Sequence, residues 1–112
     1  MEGWRERREQ LVEELRIAER ARDLLAGLER RLKDKDRSDL EEHLGRLDRF
    51  AAPLPEEHTV WLLVEDATKH ARTRGAGKAG SVASRSRSMT EGRISRLRGV
   101  LERQDAFASR DA

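Results

Sequence analysis

From Leu11 to Leu32 an apolar residue recurs at every third or fourth position: Leu11, Leu15, Ala18, Ala21, Leu25, Leu28 and Leu32. The gaps of 4, 3, 3, 4, 3 and 4 match the turn of an α-helix and no other regular structure. This feature leaves the chain little choice. A long amphipathic helix over residues 4–33 must lay its seam against something apolar. Ile17 and Leu24 widen the stripe on one flank, and Val12 lies off the other. That arc exceeds the seam of a two-stranded coiled coil, so two or more neighbours are expected. Gly27 interrupts the stretch at a cost of about 1 kcal/mol against Ala. A close helix crossing would use it, and a tolerated surface glycine would not.

The remaining chain supplies candidate neighbours. Residues 33–37 are all charged and break the period. Ser38 and Glu41 form a capping box for a second helix over 39–51, with Leu40, Leu44, Leu47 and Ala51 as its seam and His43 beside it. The short connection predicts an antiparallel hairpin. Pro53 and Pro55 then end that helix, and Pro55 suits the first position of a third helix over 55–73. There Val60, Val64, Ala67 and Ala71 share a side, Trp61 and Leu63 flank it, and Leu62 faces away. Residues 75–88 are Gly- and Ser-rich with little apolar content, which predicts a flexible basic linker. Ser88 and Glu91 make a second capping box before a basic amphipathic helix over 89–107. Residues 108–112 are read as a tail. The expected fold is all-α: a small bundle of about four helices, with 1–74 as the helical core.

With 41% charged and 36% hydrophobic residues in 112, a large core is out of reach. A partner or a second copy is therefore expected to complete it. The interface candidates are Leu11, Leu15, Ala18, Leu25, Leu28, Leu32, Trp61 and Leu62.

Charge is unevenly spread. Residues 1–74 carry 16 basic against 18 acidic side chains, and residues 75–112 carry 8 against 4. The basic set is Arg72, Arg74, Lys78, Arg85, Arg87, Arg93, Arg96, Arg98 and Arg103. Arginine forks match phosphate oxygens, so this segment is the candidate nucleic-acid contact. Few aromatics are available for stacking, so backbone contact with little sequence readout is expected. Arg outnumbers Lys 20 to 4, as a GC-rich bacterial, phage or viral genome would produce.

Catalysis finds no support in the sequence. Gly75 to Ser81 contains glycines and a lysine, but the spacing is not that of a phosphate loop, and a helix precedes it where a strand is required. His43, His58 and His70 share no paired spacing. There is no cysteine, which excludes thiol chemistry and Cys-ligated zinc. No cofactor, metal or small-molecule substrate is expected. No apolar run approaches a membrane span and no signal core is evident, so an intracellular, cytoplasmic protein is expected. The leading expectation is a non-enzymatic helical protein that binds DNA or RNA backbone through its C-terminal arginines. It would act as an oligomer or as a subunit of a nucleoprotein complex. The alternative is a helical protein–protein adaptor or oligomeric scaffold. No motif is specific enough to name a family.

Overall fold

A computed structural model describes residues 2–35, 37–73 and 76–110, with the backbone alone for residues 2, 76, 109 and 110. It contains four helices: α1 Glu2–Lys33, α2 Leu40–Ala51, α3 Thr59–Thr73 and α4 Ala76–Arg110. The all-α bundle expected from the periodicity is the observed fold.

The first stop is local. All-charged residues follow the α1 seam, and Lys35 takes the left-handed conformation at φ 54°, which ends the helix. α2 then starts at Leu40. The Ser38 capping box is not how it begins. Asp39 is the N-cap residue, its side chain caps no backbone N–H, and its carboxylate instead receives both Nε and Nη2 of Arg31 at 2.9 Å.

α3 begins at Thr59 rather than at Pro55. Residues 55–58 form a turn closed by the His58 N–H on the Pro55 carbonyl at 2.9 Å. His58 then caps α3 twice: its Nδ1 accepts the Val60 N–H at 3.0 Å, and its carbonyl accepts the Leu62 N–H at 3.1 Å.

The flexible linker expected over 75–88 is the clearest correction. Residues 76–88 are helical and continuous with the rest of α4, so Ser88 is a mid-helix residue and caps nothing. Ala79, Val82, Ala83, Ser86 and Thr90 are buried and recur at helical spacing. A seam of such small side chains lets α4 lie close to its neighbours, and burial outweighs the low helix propensity of Gly and Ser. The tail expected from residue 108 is also helical as far as Arg110, and residues 111–112 lie outside the described set.

Packing divides the bundle into two parts. In the head, Leu24, Leu25, Leu28 and Leu32 of α1 meet Leu40, Leu44 and Leu47 of α2, Val60, Val64 and Ala67 of α3, and Ala79 and Ala83 of α4. Gly27 is where α1 and α2 cross. A Cβ built there would lie 2.7 Å from His43 Cε1, so any side chain at this position would have to displace the ring. The His43 ring donates from Nε2 to the Leu24 carbonyl at 2.7 Å, and its buried Nδ1 has no partner. Burial pushes this imidazole below its ordinary pKa and keeps it neutral.

Beyond the head, α1 and α4 continue alone as an antiparallel two-helix arm. Where the head passes into this arm a second, smaller cluster holds Ala18, Ile94 and Leu97, with Leu11 and Leu15 half-buried against it, and Leu101 is buried further along α4. The described chain is elongated accordingly, at 55 × 23 × 20 Å.

Candidate interaction surfaces

The nine basic residues do not form one free patch. Arg87 binds Glu29 on α1 and, at 3.1 Å, Glu91 on its own helix. Arg93 reaches Glu14 at 3.2 Å, and Arg98 reaches Glu19 at 2.7 Å. Arg72 grips Asp48 at 2.6 Å, and Arg85 lies 3.6 Å from Asp66. Five of the nine therefore neutralise carboxylates of this chain. Arg87 holds the Glu29 carboxyl below its usual range, mainly by hydrogen bonding to it. Lys78, Arg96 and Arg103 are exposed, with no carboxylate partner among the described residues. Arg74 lies outside the described residues.

The interface candidates also separate. Ala18, Leu25, Leu28 and Leu32 are covered by the chain's own helices, so in this fold no partner reaches them. Trp61 is half-buried against the head core. Leu62 is exposed, as its isolation on the charged face of the third helix predicts. Leu11 and Leu15 sit in the arm, where coverage is incomplete.

The boundary between head and arm lies at Glu14, whose role the sequence does not reveal. Its Oε2 accepts the His58 Nε2–H at 2.8 Å and an N–H of Arg93 at 3.2 Å. Because His58 Nδ1 already accepts the Val60 N–H, Nε2 must carry the proton. This junction ties α1, the start of α3 and α4 together. The sequence signal was faint: a histidine immediately before a helix, and one glutamate inside an apolar stripe.

Toward the arm tip the same faces continue without α3. Stepping back from Glu14 by three, seven and ten residues gives Leu11, Arg7 and Trp4 on α1. Stepping forward from Arg93 gives Arg96, Val100, Arg103 and Phe107 on α4. Leu11 and Val100 are half-buried, whereas Trp4 is 39% and Phe107 64% exposed. In the head, α3 occupies this side of the α1–α4 pair. Along the arm none of the described residues does.

A second groove lies at the opposite end. It encloses about 690 Å³ between the end of α1 and the start of α4. Leu32 and Met89 supply apolar wall, the small residues Gly77, Gly80, Ser81 and Ser84 line it, and Lys33, Lys35 and Arg85 supply positive charge beside the Glu29 carboxylate.

Among the described residues no group of three or more His, Asp or Glu side chains is placed to hold a metal ion. No described helix is long and apolar enough to cross a membrane. Searches of protein-family models, of curated proteins and of solved structures returned no match to this chain.

Proposed function

We propose that this chain is a non-enzymatic helical interaction module that binds other proteins through its two-helix arm. One observation carries the reading: α3 stops at the Glu14 junction, so the apolar side it covers in the head stays open along the arm at Trp4 and Phe107. Large apolar side chains gathered on one uncovered face commonly mark contact surfaces. Ion pairs within the chain favour this over the polyanion reading, because they engage five of the nine basic side chains a nucleic acid would need.

A selection from a library of helical peptides tests it. Binders are expected to lose affinity for Trp4→Glu and Phe107→Glu variants and to keep it for Leu62→Glu. Binders that respond only to the Leu62 change would place the contact on the head and reject the arm.

Nucleic-acid backbone binding is the second reading. One geometric fact favours it: at 100° per residue Lys78, Arg96 and Arg103 fall on one stripe of α4. Gel retardation of duplex DNA and RNA at low and moderate salt tests it. Shifts that vanish in the Lys78→Ala/Arg96→Ala/Arg103→Ala triple variant would support it, and an absence of any shift at low salt would end it.

A further inference from the structure

The open side of the arm has a charge pattern as well as an apolar floor, and the pattern identifies a class of occupant. Leu11 and Val100 form the floor, with Trp4 and Phe107 toward the tip. Three exposed guanidinium groups border it: Arg7 on α1, and Arg96 and Arg103 on α4. None has a carboxylate partner among the described residues. Glu14, at the inner end of this face, is already engaged by His58 and Arg93, and Asp105 lies 2.7 Å from Arg8. An apolar strip with a rim of one sign complements an amphipathic helix that carries the opposite sign beside its apolar face.

Resting on the interaction-module reading, we propose that this groove receives an amphipathic helix of a partner protein with Asp or Glu flanking its apolar stripe. The helix would lie as a continuation of α3, making the arm a three-helix unit. From Arg93 to Phe107 α4 runs about 21 Å, which accommodates about four turns of the incoming helix. A second copy of this chain fits poorly. Two arms facing each other on this side would set Arg7, Arg96 and Arg103 against the same residues of the other copy. Like charges at close range oppose that pairing.

The probe is a labelled 18-residue helical peptide with a leucine stripe and glutamate flanks, read by fluorescence anisotropy with the full-length chain. Its twin carries lysine flanks. The glutamate peptide is expected to bind, to weaken as salt rises, and to lose at least tenfold in affinity for the Arg7→Glu/Arg96→Glu/Arg103→Glu variant. A charge-reversed variant that retains the helical circular-dichroism signal of the wild type shows that the loss is not unfolding. The lysine peptide is expected to gain affinity for that variant. Equal binding of both peptides to the wild type, lost in Phe107→Glu, would overturn the acidic partner and leave the module reading standing. Sedimentation as a dimer that Phe107→Glu dissociates, with neither peptide bound, would do the same and assign the groove to a second copy. Duplex DNA or RNA competing for the three arginines while neither peptide binds would overturn both readings. No binding of either peptide by a monomeric chain would also overturn both.

Discussion

The head and the arm are built from the same two helices, yet they differ in what covers them. In the head, the seam of α1 meets three neighbours, and Leu25, Leu28, Leu44 and Leu47 are fully removed from water. In the arm, α1 has only α4; Leu101 is buried, but Leu11 and Val100 stay half-buried and Trp4 and Phe107 exposed. An apolar helix face needs neighbours on more than one side to be dry, and the chain supplies them only as far as the Glu14 junction. The head is thus a closed core that specifies the fold. The arm is a surface whose apolar side is available.

Truncation should expose this difference most strongly. Leu28→Ala leaves a cavity in the head and is expected to cost about 2–5 kcal/mol in urea unfolding. Leu11→Ala, on the arm, is expected to cost about 1 kcal/mol. Equal costs would show the arm to be as tightly packed as the head.

A smaller effect tests the closest contact within the head. Gly27→Ala forces the His43 ring from its place and is expected to cost about 1–3 kcal/mol. In a His43→Ala background the penalty should largely disappear, a coupling that a double-mutant cycle reads directly. Additive effects would mean that the ring does not set the α1–α2 distance.

Charge pairs give the next increment. Arg87→Ala leaves the partly buried Glu29 without its main donor, and about 1–2 kcal/mol is expected from denaturant titration. Arg98→Ala removes a solvent-exposed pair, for which about 0.5 kcal/mol is expected. A larger loss at Arg98 would move the electrostatic weight from the head to the arm.

Acid should act on the head through His43. Its folded pKa is lowered, so between that value and the ordinary imidazole value of about 6.5 the unfolded chain binds more protons. Stability therefore falls as pH drops through this window. Glu29 acts in the same direction at lower pH, because a carboxylate with a lowered folded pKa loses its stabilising contribution on protonation. Melting temperatures measured from neutral to mildly acidic pH should fall in the wild type and change less in His43→Gln over the imidazole window. Identical slopes would refute the assignment to His43.

Much of the head could be read from the chain because its signals are local. The leucine seams of α1 and α2, the all-charged break at residues 33–37 and the prolines after α2 each act within one or two turns. Residues 76–88 look like a linker in the sequence because Gly and Ser have low helix propensity, while the seam that orders them is made of Ala79, Val82, Ala83 and Ser86. Side chains that small bury little area each and give a weak periodic signal. They matter only once another helix lies close. The role of His58 is hidden because its bond to Glu14 joins residues 44 apart in sequence, although its cap of α3 is local.

What the sequence by itself determined is the helical class, the seam of α1, the end of α2 and the basic character of the C-terminal third. Only the tertiary structure decided where that charge is spent. Whether an arginine faces solvent or a glutamate 58 or 79 residues away depends on how two long helices are set against each other. Periodicity fixes the face of a side chain on its own helix, but the partner across the interface is chosen by the crossing and register of both. For that reason a segment with a net basic charge becomes, in the folded chain, a set of internal ion pairs and a short arginine rim along the arm.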